Sequence, residues 1–274
     1  MLINVRRIKH SFRHFNFAKG YHCALLAIFT LLHFNATAAV NSDRVIEVNA
    51  IDWCPQICLD KEHPGYVVEL VQEAFKHLDY QLNIQIYPWS RAIKNVTAGK
   101  ADALLSPAKS EAPQLRYPRV PVGFQQMCFF NLADNPWNYQ GASSLAGQQI
   151  GIANDTSIEE LNDYVKSHPE QFQFQPYHER YLNQSLAKLE KGRMDSFLFT
   201  KNSTLFHLYS TKQINKFKVA GCVSKAPIYI AFSPIAAKQA QLTQIMAKLD
   251  IELSKLQRNG YVEKLMHKYH LTAN

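Results

Sequence analysis

Apolar and polar positions alternate with two different periods along most of the chain. "RVIEVNAI" (44–51) changes face at every second residue, the period of a half-buried strand. "GYVVELVQEAFKHL" follows, with Val67, Leu70, Val71, Ala74, Phe75 and Leu78 on one face of a helix. "QLNIQIY" predicts a second strand. "SRAIKNVTAG" predicts a short helix, opened by Ser90 and closed by Gly99, and "ADALLS" a third strand. The pattern restarts at "QQIGIAN", a strand, and "DTSIEELNDYV", a helix for which Thr156 with Glu159, or Ser157 with Glu160, offers a capping box. "LAKLEKGRMDSFLF" (186–199) echoes "KNVTAGKADALLS" (94–106): a helix ends at glycine, a basic residue follows, and Asp102 or Asp195 precedes an apolar strand. A helix over 237–256 carries Leu242, Ile245, Leu249 and Leu253 on one face, Asn259-Gly260 breaks it, and a last helix covers 261–269. Strands alternating with helices argue for an α/β fold of parallel βαβ units, here two units built alike.

The first forty residues change the reading of compartment and charge. Arg6, Arg7, Lys9, Arg13 and Lys19 form a basic leader; the apolar run "ALLAIFTLLHF" and the small residues of "NATAAV" follow. That order predicts a secretory signal peptide over 1–39, cleaved near Ala38 or Ala39 and exported by the Sec route to the periplasm. The apolar run is too short to span a bilayer, which takes about 20 residues. Of the 30 Lys and Arg, the leader holds 5 and none of the 22 acids, so the remainder carries 25 − 22 = +3 rather than +8. With no Lys/Arg block downstream, nucleic acid is excluded as a partner class. Four of the five cysteines lie beyond the leader, an even number suited to disulfides in an oxidising compartment.

The segments "WCP…GYVVELVQEAF", "PWSRAIKNVTAGKADALLS", "YPRVPVG", "SLAGQQIGIANDTS", "LAKLEKGRMDSFLF" and "IYIAFSP…LDIELSKLQRNGYVEKLMHKY", in this order, resemble the periplasmic solute-binding proteins of family 3. The resemblance implies a type II periplasmic-binding-protein fold, two α/β lobes joined by a two-strand hinge. Residues 43–128 plus 228–274 would form one lobe and 129–227 the other. It implies a monomer that closes on a small polar or anionic solute without chemistry or cofactor, for an ABC permease or a membrane sensor. The alternative it leaves open is an enzyme on the same scaffold, of the cyclohexadienyl dehydratase kind.

Candidate ligand contacts follow from the same resemblance. Trp53, in the loop after the first strand, either fills the core or lines the cleft, and Tyr66 follows that loop. Trp89 and Arg91 end the second strand, where Arg91 would fork onto a carboxylate or pair on the surface. Ser106 ends the third strand, with Lys109 beyond it. Thr156 and Ser157 match a family turn at a helix start, where free N–H groups favour an anion. The pattern also departs from amino-acid binders. Glu111 or Ala112 stands where they carry an arginine for the α-carboxylate, with Arg116 and Arg119 out of register. Phe199, Thr200 and Lys201 stand where they carry an aspartate for the α-ammonium, and of these Thr200 is a further candidate ligand contact. A standard α-amino acid would thus lose both charge partners in the cleft. Glu111 and Lys109 are the titratable groups nearest to serve chemistry. His267 and His270 read as surface residues, and no metal is expected.

"WCPQIC" (53–58) has three residues between Cys54 and Cys58 with a proline inside, unlike a redox pair with two, and a zinc site would need two more ligands. The expectation is a local Cys54–Cys58 disulfide bracing the loop of Trp53, with Cys128–Cys222 as a second bridge.

Overall fold

Strand β1 (Val45–Ala50) buries alternate residues at first and all of its last three, because one face meets a helix layer and its end runs into the core. The structure, a computed structural model, describes residues 44–154, 156–178, 180–235, 237–269 and 271. The expected signal peptide, Asp155 and His270 lie outside these residues. Helix α1 (Tyr66–Lys76) buries Val67, Leu70, Val71, Ala74 and Phe75, the face that the sequence periodicity marks. Strand β2 (Gln81–Ile86) runs parallel to β1, helix α2 (Trp89–Thr97) follows, and β3 (Ala103–Ala108) pairs parallel on the other side of β1. Helix α2 starts one residue before Ser90, with Pro88 at the cap position, and Gly99 at φ +71° closes it.

After β4 (Gly123–Leu132) the same order recurs. Strand β5 (Ile150–Ala153) leads through α3 (Asn162–Ser167) to β6 (Phe172–Gln175), then through α4 (Tyr181–Glu190) to β7 (Ser196–Thr200). Both β6 and β7 are parallel to β5. Helix α5 (Lys201–Ser210), the 16-residue β8 (Phe217–Phe232), α6 (Gln239–Arg258) and α7 (Tyr261–Lys268) complete the chain. The sheet order is β2-β1-β3-β8-β4-β7-β5-β6, so two parallel triplets of equal topology flank an antiparallel pair. One end of β8 pairs with β3 and the other with the far half of β4, so β4 and β8 cross between two α/β lobes. Each lobe has its own apolar core. One gathers Ile46, Val48, Phe75, Leu249 and Leu253, the other Phe129, Phe130, Tyr181, Phe197 and Leu198.

The repeated Gly-basic-x-Asp stretch performs one task twice. The Asp102 carboxylate accepts the Glu47 N–H at 2.9 Å while its own N–H donates to the Glu47 carbonyl, locking β3 beside β1. Asp195 does the same to Gln149 ahead of β5, at 2.8 Å. Asp102 is buried and also holds the Lys238 ammonium at 3.1 Å, whereas Asp195 is exposed. Asp102→Ala is therefore expected to cost about 2 kcal/mol in urea denaturation and Asp195→Ala about half as much, because only the first removes a buried carboxylate that also pairs with the half-buried Lys238 ammonium.

Both expected disulfides are present. Cys54–Cys58 closes a loop of sequence separation 4, which removes little chain entropy. Cys128 and Cys222 face each other across the β4–β8 ladder, and their bridge, of separation 94, constrains the unfolded chain far more.

Candidate functional site

The bridge-closed loop after β1 is folded on itself. Trp53 N–H donates to Ile57 O at 2.7 Å, and Trp53 O accepts from the N–H groups of Gln56 and Ile57. Tyr66 N–H reaches Pro55 O at 3.0 Å, Val67 N–H reaches Gln56 O at 3.1 Å, and Gly65 N–H donates to the Tyr269 hydroxyl at 2.8 Å. The loop is thereby fastened to the start of α1 and to the last helix. It leaves Trp53 7% exposed, its indole Nε1 donating to Thr200 Oγ1 at 3.1 Å across the space between the lobes.

A cavity of about 60 Å³, open to solvent at its mouth, lies beside this bond. It is lined at the carboxyl end of every parallel strand: Ile51 and Trp53 after β1, Trp89 after β2, Ser106 and Glu111 at β3, Asn154 and Thr156 after β5, Tyr177 after β6, and Phe199 and Thr200 at β7. The crossing strand β4 adds Gln125 and Met127. Parallel strands end with loops free of ladder constraints, which is why α/β sheets gather ligand groups there. Tyr177 stacks on Phe199 at 5.3 Å between centroids and donates its hydroxyl to Asp52 O at 3.0 Å, a second bond between the lobes.

Five of the expected contacts, Trp53, Trp89, Ser106, Thr156 and Thr200, come together on this lining. Ser106 adopts φ +68°, where β3 shifts register against β8 between Leu105 and Ala108. Such strained backbone persists where the surroundings hold it. Its hydroxyl, like Gln125 Nε2, is buried and has no partner among the described residues.

The other four lie elsewhere. Tyr66 is 2% exposed, bonds the Asn202 side chain and lines a different cavity beside α7; burial pushes its hydroxyl pKa up to about 12. Arg91 is exposed and sits over the Tyr87 ring at 5.5 Å. The Lys109 ammonium sits over Tyr229 and Tyr117 at 5.0 and 5.8 Å. Both residues are exposed, so water keeps their cations hydrated, whereas the apolar cleft would desolvate them. Ser157 is engaged by Glu159 N–H and Asn162 Nδ2, each at 3.3 Å. The expected helix start at Thr156 and Ser157 does not form. Glu159 takes φ +51°, a 3-10 turn spans Glu159–Leu161, and α3 begins only at Asn162. The Glu160 carboxylate, which a capping box would need, is taken by the N–H and hydroxyl of Ser224.

Electrostatically the cavity has one sign. Among the described residues that line it there is no Lys, Arg or His, so the anionic solute allowed by the sequence has no counter-charge here. Its one carboxyl, Glu111, accepts the Ala108 N–H at 2.8 Å and a hydrogen bond from the Ser157 backbone. Its stem is partly exposed, yet the carboxyl is crowded: burial, with a smaller push from Glu159, raises its pKa to about 7. A raised carboxyl pKa means that the folded state binds more protons than the unfolded one, so stability falls as pH rises. The expected loss between about pH 4.5 and pH 7.5 is about 1–3 kcal/mol, discounted for the exposed stem. Glu111→Gln removes it, so thermal melts of native and variant protein should diverge across that window and run parallel above it.

Residues 50–272 match the model of the bacterial extracellular solute-binding proteins, family 3. The chain belongs to that family. No curated protein matches it by sequence. Among solved structures, this family 3 protein is similar to a histidine kinase sensor domain with similarity to periplasmic binding proteins, at 18% identity and TM-score 0.65, covering 82% of this chain and 96% of that one. It is similar also to an ABC uptake transporter substrate-binding protein from Streptococcus pneumoniae with bound histidine, at 15% identity and TM-score 0.64, covering 83% and 93%. A third is an ancestral amino-acid-binding protein, a precursor of cyclohexadienyl dehydratase, at 14% identity and TM-score 0.61, covering 82% and 95%. At these identities the likeness establishes the fold that this family 3 protein shares with them. No helix among the described residues is long and apolar enough to cross a membrane.

Proposed function

We propose that the protein is an exported solute-binding protein of the periplasm that captures a small polar solute between its lobes, closes by bending at β4 and β8, and performs no chemistry. The lobes of the proposal are 43–128 plus 228–274, and 129–227. What carries this reading is the lining itself: both lobes present residues to one cavity, and the Trp53–Thr200 and Tyr177–Asp52 bonds join them across it. Five of the nine residues expected to bind solute fall on that wall; Tyr66, Arg91, Lys109 and Ser157 are not part of the proposal. Delivery to an ABC permease or to a sensor fits the two kinds of neighbour equally. Isothermal titration against metabolite panels is expected to give a one-to-one complex with no product. Turnover without a stable complex would overturn it. That outcome would favour chemistry in the same cleft, for which Glu111, with a pKa near neutrality, is the group suited to proton transfer.

A further inference from the structure

The geometry points to Glu111 as the group that selects the solute, and to a small organic amine carrying no carboxylate as the class selected. This inference rests on the solute-binding reading. The cavity wall holds four aromatic side chains, Trp53, Trp89, Tyr177 and Phe199, and Glu111 is its one carboxyl. Aromatic faces attract cations through their quadrupole, most strongly where water is excluded, and an ammonium between such faces and a carboxylate is met by both. A carboxylate ligand finds the opposite. It would lie near Glu111 and Glu159, with no cation on the wall, and taking it out of water would go uncompensated. The two cations that the sequence suggested, Arg91 and Lys109, are exposed residues that sit over tyrosine rings and do not line this wall. Gln125 Nε2 and the Ser106 hydroxyl, both buried and unpartnered among the described residues, supply neutral contacts for a hydroxyl or carbonyl oxygen elsewhere on the amine.

Protonation gives a second handle. The groups facing Glu111 are the N–H donors of Ala108 and Ser157, the carboxylate of Glu159, and Tyr117, behind which Lys109 sits over the Tyr117 and Tyr229 rings. A bound cation favours the ionised carboxyl. Amine affinity should therefore climb from pH 5 to pH 8, by up to about tenfold per unit below the pKa of about 7.

The test is calorimetric titration of the native protein with phenethylamine and 1,4-diaminobutane, their matched acids phenylacetate and adipate, and the zwitterion phenylalanine. At least one amine is expected to bind more than tenfold tighter than its acid and than phenylalanine, with affinity rising with pH. Glu111→Gln, checked for an intact melt, should weaken that amine by about 10- to 100-fold. Tighter binding of an acid or of the zwitterion, an affinity that falls with pH, or silence toward both amines overturns the inference. A one-to-one complex with phenylacetate would do so while leaving the solute-binding reading standing. Turnover without complex would remove both.

Discussion

Gly65→Ala is expected to lower folding stability by about 4 kcal/mol or more and to abolish solute binding with it. Gly65 sits at φ +103°, in the region that residues with a Cβ rarely adopt, and the pressure there is more than conformational. A Cβ built on it would lie 2.3 Å from the Gln56 carbonyl oxygen, 2.6 Å from its carbon and 2.8 Å from Ile57 Cα, all backbone atoms that no rotamer change can move. Relief requires parting the disulfide-closed loop from the start of α1. That breaks the Tyr66–Pro55, Val67–Gln56 and Gly65–Tyr269 hydrogen bonds and displaces Trp53. Gly141→Ala is the control: its φ is +101°, but nothing lies within 4 Å of its added Cβ, so it should cost about 1 kcal/mol for conformation alone. Melting temperatures would separate the two by about 6–12 °C for a chain of this size. Equal losses at the two glycines would mean that the loop yields freely and that its bracing role is wrong.

Much of this fold is legible along the chain because its elements solve local problems. The first half of β1 and all of α1 bury mainly one face, so their periods show, and the Gly-basic-x-Asp stretches mark places where an aspartate clasps the start of a neighbouring strand. The central pair is less legible. β4 is buried along most of its length, and its register slips twice around Cys128, so no alternation survives to announce it. The four-residue β6 carries too few residues for a period, and the position of Tyr177 just beyond it on the cavity wall goes unseen for the same reason. The failed capping box at Thr156 to Glu160 is a tertiary override. Ser224, 64 residues along the chain, takes the Glu160 carboxylate, and the local signal loses to it. Glu111 is visible in the sequence as the residue standing near a missing arginine, but its environment depends on Ala108 and Ser157 closing around the carboxyl, which no spacing reveals.

Breaking the Trp53–Thr200 bond should separate closure from contact with the solute. Trp53→Ala removes a cavity wall and a buried ring together, and is expected to cost about 3–5 kcal/mol of stability and more than about 100-fold in affinity. Trp53→Phe and Thr200→Val are narrower. The first keeps an aromatic face but leaves Thr200 Oγ1 without its donor, and the second leaves the buried indole N–H without its acceptor. Each should cost about 1–2 kcal/mol, the Thr200 variant more, because an unmet buried N–H is the dearer orphan. In the double variant no orphan remains at this bond, so its cost should fall about 1 kcal/mol short of the sum of the singles. The bond joins the end of β7 to the loop after β1, so it exists only when the lobes are together, and its loss shifts the open–closed equilibrium by the same free energy. Thr200→Val should then weaken solute binding by about tenfold through slower closure or faster opening, with the pH dependence set by Glu111 unchanged. Additive costs in the cycle would show that the two side chains touch without coupling. Closure would then have to be carried by the other bonds between the lobes, among them Ser157 N–H to Glu111 and Tyr177 to Asp52, the second of which Tyr177→Phe removes without altering the aromatic wall.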